Sequence, residues 1–167
     1  MPTWKLDDGP FGRLAKFARI ADLPNWPSGK LFVAEQTALD AIQDTVRNAL
    51  LTADPTPFQV FRIMMGTHAA DIVYSHLRRT ASRAAANLAE HQCIAWIIAE
   101  RRDAVFVTED RKAAFLALAE LGRGRVAHAH DLWLYLRDER LVDRKQFENL
   151  CRATCRNDRS DIPLRCR

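Results

Sequence analysis

The chain has 167 residues, 48% of them apolar and 28% charged, a balance that suits one globular domain with a sizeable core and does not fit a disordered segment. Lys and Arg number 25 against 21 Asp and Glu, giving a net charge of +4 and a pI near 9.1, which permits an anionic partner without requiring one. No run of about 18 apolar residues marks a membrane span, and the first residues lack the basic-then-apolar pattern of a secretory signal, so a cytoplasmic protein is expected.

Taken in order, Thr3-Trp4-Lys5-Leu6 reads as a short strand that ends in Asp7-Asp8-Gly9-Pro10, and Phe11 to Ile20 reads as a helix with Leu14, Phe17, Ala18 and Ile20 inward. Asp7 and Asp8 suit a turn with an N-cap, and they also suit a ligand site between strand and helix. Pro24, Asn25, Pro27 and Gly29 make a loop before Lys30–Val33, a second strand candidate. One helix is expected from Ala34 to Leu51, with Asp40 about two turns in. Asp54-Pro55-Thr56-Pro57 breaks the chain before Phe58–Met65, where β-branched and aromatic residues favour a strand over a short helix. A long helical region follows, broadly Ala69 to Ala89. It carries His76, Arg78, Arg79 and Arg83, a basic group suited to phosphate or to plain solvation.

Leu88 to Leu121 organises the rest. A helix bearing Leu88, Ile94, Ile97 and Ile98 leads to the buried strand Ala104–Val107, then Thr108-Glu109-Asp110, then a helix with Ala113, Ala114, Leu116, Ala117 and Leu118 on its apolar face. Beyond it lie a turn at Gly122–Arg125, a brief strand at Val126–Ala129, a helix from Leu132 to Arg137 with Asp131 as a candidate N-cap, and a last helix from Asp143 to Cys155. Residues 1–155 are read as the domain and 156–167 as a basic tail that frays.

Alternating strands and helices predict a three-layer α/β/α domain with a mainly parallel sheet, whose ligand sites lie at the carboxyl ends of the strands. Glycine-rich phosphate loops, a Rossmann fingerprint and a Gly-x-Ser-x-Gly elbow are all missing. What stands out is an excess of acids at strand-to-helix transitions. Asp110 sits at one such end and Glu90 opens the preceding helix, so the two carboxylates are expected to converge. Other chemistry is sparser. Cys93 reads as a core thiol; Cys151, Cys155 and Cys166 have poor zinc spacing. His128 and His130 lack a partner constellation and are read as structural or solvated. Of Trp4, Trp26, Trp96 and Trp133, Trp26 is the best candidate to stack on an unpaired base.

Four short motifs in this order resemble the PIN-domain ribonucleases, including VapC-type toxins, and among them the branch opening on Asp-x-Gly-Pro. Leu6-Asp7-Asp8-Gly9-Pro10-Phe11 is similar to that opening. Phe32-Val33-Ala34-Glu35 with Asp40-Ala41-Ile42 resembles the second motif, Glu90-His91-Gln92-Cys93-Ile94-Ala95 the acid followed by Ile-Ala on the central helix, and Val107-Thr108-Glu109-Asp110 the family's Thr-x-Asp. The resemblance runs to about Leu150. It implies an acidic cluster of Asp7, Asp40, Glu90 and Asp110, with Thr108 as accessory polar residue, holding Mg2+ or Mn2+. Asp7, Glu90 and Asp110 would hold the main ion and Asp40 would ligate directly or through water. Lys5 in the first strand and Asp40 in place of the more usual Glu depart from the pattern.

The activity so implied is metal-dependent hydrolysis of RNA phosphodiesters by an endoribonuclease, with an antitoxin protein as partner where the family acts as a toxin, and homodimers as the usual assembly. Hard cations prefer oxygen ligands, and clustered acids repel one another until a cation neutralises them. The competing reading is a PIN-like scaffold that has lost turnover and serves as a nucleic-acid or protein-binding module; a DNA nuclease is the third.

Overall fold

The computed structural model describes residues 3–18, 30–53, 56, 58–79, 87–100 and 103–157, with backbone alone for 155–157. Five strands form one sheet: β1 (Thr3–Leu6), β2 (Leu31–Ala34), β3 (Phe58–Phe61), β4 (Ala104–Thr108) and β5 (Val126–His128). Their order is β3-β2-β1-β4-β5 and every pairing is parallel, Leu6 standing opposite Val33 on one side and Val107 on the other. The expected three-layer α/β fold is therefore present, with a sheet parallel throughout.

Strand periodicity divides the core in two. Trp4, Leu6, Leu31, Val33, Val105 and Val107 face α1 (Asp8–Phe17), α3 (Thr45–Thr52), α7 (Ala129–Asp138) and α8 (Arg144–Asn157); Phe32, Ala34, Ala104 and Phe106 face α5 (Leu88–Ala99) and α6 (Arg111–Leu121). Each fully buried side chain of this kind stabilises the fold by about 1.5–3 kcal/mol. Lys5 lies on the second face. It is wholly buried, its ammonium 3.4 Å from the ring centres of both Phe32 and Trp96 and 4.4 Å from that of Phe61. Cation–π contact with three rings is what lets a lysine occupy a strand position expected to be apolar.

Local chemistry redraws several expected boundaries. The helix expected over Ala34–Leu51 is two: α2 (Glu35–Asp40) stops, and α3 begins at Asp44, whose carboxylate accepts from the N–H groups of Val46 and Arg47. Asp40 accordingly ends a helix instead of lying within one. The region expected as one helix over Ala69–Ala89 is α4 (His68–Arg79) and the start of α5, while residues 80–86, Arg83 included, lie outside those described. Asp131 is not the N-cap of α7. His128 is, its Nδ1 accepting from the N–H of His130, while Asp131 reaches back to accept from the N–H of His128. The last helix begins at Arg144 and runs to Asn157; the expected tail beyond it, Trp26 and Cys166 lie outside the described residues.

Among the described residues no helix is long and apolar enough to cross a membrane. Trp4 and Trp133 are buried in the first core, and Trp96 packs against the second. Cys93 is buried there too, as expected.

Candidate functional site

The chain crosses from one half of the sheet to the other between β1 and β4, since β2 and β3 lie on one side of β1 and β4 and β5 on the other. Parallel sheets open a crevice at such a switch point, beyond the carboxyl ends of the strands. Asp7 follows β1 there, its N–H donating to the carbonyl of Val107 at 3.0 Å; Thr108 ends β4 beside it and donates its hydroxyl to Asp7 Oδ2 at 2.6 Å. The same hydroxyl oxygen accepts from the N–H of Asp110 at 3.0 Å. Thr108 thus ties the ends of the two strands together and fixes the Asp7 carboxylate.

Both aspartates begin helices. Asp7 Oδ1 accepts from the N–H of Asp8 at 2.9 Å and Asp110 Oδ1 from that of Ala113 at 2.8 Å, capping contacts that each contribute about 1 kcal/mol. The turn-and-cap reading of Asp7 is correct as far as it goes. Capping does not account for its neighbours.

A cavity of about 270 Å3 at this point is lined by Asp7, Asp8, Asp40 and Glu90, together with Gly9 and Gln36 and the start of α5. Four carboxylates from β1's end, α1, α2 and α5 therefore face one small space. Three of them, Asp7, Asp40 and Glu90, were expected in the cluster. The remaining lining acid is Asp8, which was not expected there, and the remaining expected acid, Asp110, does not line the cavity, yet its charge raises the pKa of both Asp7 and Glu90. Asp40 is exposed and accepts from the amide of Gln36 at 2.8 Å, a contact of residues four apart on α2.

The electrostatics separate two of these acids from ordinary caps. Burial raises the pKa of Asp7 from 3.8 to about 6, and the hydrogen bonds from Thr108 and Asp8 offset this only in part. Burial first, then the charge of Asp7, raises Glu90 from 4.5 to about 7. Among the described residues no Lys or Arg forms an ion pair with either. Two carboxylates whose pKa values burial raises in this way favour a proton or a cation nearby.

The donor set is all oxygen, four carboxylates with a threonine hydroxyl and a glutamine amide nearby, and fits a hard divalent cation in preference to zinc. Among the described residues no three His, Cys, Asp or Glu side chains are already arranged to hold a metal ion.

The acidic cluster implied by the resemblance does not include Asp8, which is weighed only together with Asp7, and Gln36 is not singled out. Both stood next to signals that were read, Asp8 beside Asp7 and Gln36 four residues before Asp40. Sequence reasoning also assigned no role to the bidentate pair of Arg13 with Glu109, 2.6–2.8 Å, which joins α1 to the end of β4. Residues 96 apart leave no local signature. His128 serves as a buried cap stacked on His130, in line with the structural role expected of it. Comparison with protein-family models, with curated proteins and with solved structures gives no match for this chain.

Proposed function

We propose that this chain is a metal-dependent endoribonuclease of the PIN-like type, with Mg2+ or Mn2+ held by Asp7, Glu90 and Asp110 and approached by Asp40. One observation carries the reading: Asp7 and Glu90 line one cavity at the topological switch point, both with raised pKa and without a basic partner among the described residues. The order of the four motifs supports it. A cation bound there would polarise a phosphodiester oxygen and favour deprotonation of the attacking water.

This chain's own residues do the remainder. Thr108 holds the Asp7 carboxylate toward the cavity through a 2.6 Å hydrogen bond, and the caps of α1 and α6 fix Asp7 and Asp110 at the ends of adjacent strands. Gln36 holds Asp40 at the cavity's outer edge. No side-chain nucleophile is needed. The same resemblance proposes a toxin of a toxin–antitoxin pair, with an antitoxin as protein partner and a homodimer; a cytoplasmic setting is proposed from the sequence pattern, separately from the resemblance.

The second reading, a PIN-like binding module without turnover, draws on the exposure of Asp40. Purified protein given a mixed RNA pool with manganese separates the two. Cleavage abolished by EDTA and by Asp110→Asn supports the nuclease; folded, inhibitor-free protein that leaves the RNA intact supports the module.

A further inference from the structure

Gly9 lines a second cavity. This one, about 380 Å3, lies along α1 between α3 and α8 and is lined by Gly9, Gly12, Arg13, Lys16, Phe17 and Arg47, with Ala153 at its α8 side. Its chemistry is the reverse of the acidic pocket's: its charged lining side chains are all basic.

Two of the three cations are braced from behind. Arg13 uses Nε and Nη2 on Glu109, which leaves Nη1 without a hydrogen bond among the described residues. Arg47 gives Nη1 to Asp8 at 2.7 Å and turns Nε toward Asp44 at 3.4 Å, which leaves Nη2. That Nη2 lies against α1 at Gly12, where a Cβ would stand 2.5 Å from it, so the absence of a side chain is what admits the guanidinium. Lys16 is exposed, its ammonium lies 5.5 Å from the centre of the Phe17 ring, and it pairs with no carboxylate among the described residues. A guanidinium fixed by a carboxylate presents its remaining N–H groups at little entropic cost, and this suits a phosphate oxyanion better than a diffuse counter-ion.

We propose that this cleft is a backbone-phosphate subsite for a single-stranded polynucleotide, continuous past Gly9 with the acidic pocket. The assignment of substrate rests on the nuclease reading; the anion-binding chemistry rests on Arg13, Lys16 and Arg47 alone. A strand crossing from one cavity to the other sets one phosphate among the acids, where a cation is required, and a neighbouring one against cations the chain supplies itself.

The test reads binding apart from cleavage. A short fluorescent single-stranded RNA is titrated in EDTA with the parent protein and with Lys16→Ala, Gly12→Ala and Arg123→Ala, the last lying in the turn before β5 at the opposite end of the sheet. Lys16→Ala weakens binding about fivefold and makes the slope of log affinity against log salt shallower by about 0.7, the increment for one phosphate contact on a single strand. Gly12→Ala, which displaces Arg47 without removing a charge, weakens it as well, and Arg123→Ala leaves both quantities at the parent's values. Parental affinity in both Lys16→Ala and Gly12→Ala overturns the subsite, as does displacement of the RNA by an acidic peptide as readily as by unlabelled RNA. Lys16-dependent binding in a protein that never cleaves RNA with manganese upholds the subsite and removes the nuclease reading; cleavage with parental affinity in both Lys16→Ala and Gly12→Ala does the opposite.

Discussion

Glu109 and Asp7 leave the carboxyl ends of neighbouring strands, and each is less than a tenth exposed, yet their charges meet opposite surroundings. Glu109 receives a two-pronged guanidinium from Arg13 and a longer contact from Thr154 at 3.4 Å. Asp7 receives one hydroxyl and one backbone N–H, and Glu90 shares its cavity. The first carboxylate is neutralised inside the chain and holds α1 to the sheet. The second is left for a proton or an added cation. Arg13 offsets the buried charge of Glu109, and among the described residues no arginine does so for Asp7.

The difference can be broken from either side. The largest expected effect is on turnover: Glu90→Gln or Asp7→Asn, folded by circular dichroism, reduces manganese-dependent RNA cleavage by about a hundredfold or more, as loss of a ligand that positions the ion demands. Parental rates in either variant would remove that residue from the site. Next is the neutralised pair. Arg13→Ala leaves Glu109 buried without its guanidinium and lowers stability to urea by about 2–4 kcal/mol, while Arg144→Ala, which breaks an exposed pair with Glu148, changes it by less than about 0.5 kcal/mol.

The dependence on pH follows from the raised pKa values. Asp7 and Glu90 hold protons in the folded protein that the unfolded chain has already released, so their contribution to stability is complete below about pH 4 and is lost as pH rises to about 7. Glu90→Gln removes its share of that loss and, allowing for partial exposure, makes the metal-free protein about 1–2 kcal/mol more stable than the parent above pH 7. Thermal melts of both proteins across this range check the sign: a parent that gains stability from pH 5 to 7.5 relative to Glu90→Gln contradicts it. The smallest effect is that of Gly12→Ala. A helix-interior alanine gains about 0.5–1 kcal/mol over glycine, and displacement of Arg47 from Asp8 offsets most of it, for a net change within about 0.5 kcal/mol. An intact Arg47–Asp8 contact in a crystal structure of that variant would show that Gly12 does not set Arg47's position.

What could be read in the sequence was what local chemistry specifies. Alternation of apolar runs with acidic turns gave the α/β layers, and β1 fell at its expected residues, Thr3–Leu6. Asp7 and Glu90 stood out because each lies near the edge of an expected element, where a carboxylate has a short list of uses; Asp40, expected two turns inside a helix, was indicated by the resemblance alone, and only the structure shows that α2 ends there. The division of α2 from α3 was harder: Asp44 occupies a position within an unbroken helical pattern, and only its two backbone acceptances show that a new helix starts there. His128 as the cap of α7 escaped because imidazole is an uncommon cap and Asp131 offered a more familiar one. Lys5 reads as a flaw in a strand until Phe32, Phe61 and Trp96, from elsewhere in the chain, close around it. Arg13 with Glu109 and Arg47 with Asp8 are contacts of the folded chain, invisible to any local pattern.

The most direct test of the acidic pocket is calorimetric titration of the metal-free protein with manganese at about pH 6 and about pH 7.5, beside Glu90→Gln. The account predicts saturable binding that is tighter at the higher pH, releases protons at the lower, and is lost in the variant. Binding that is absent in the parent, or equal in Glu90→Gln, would contradict it.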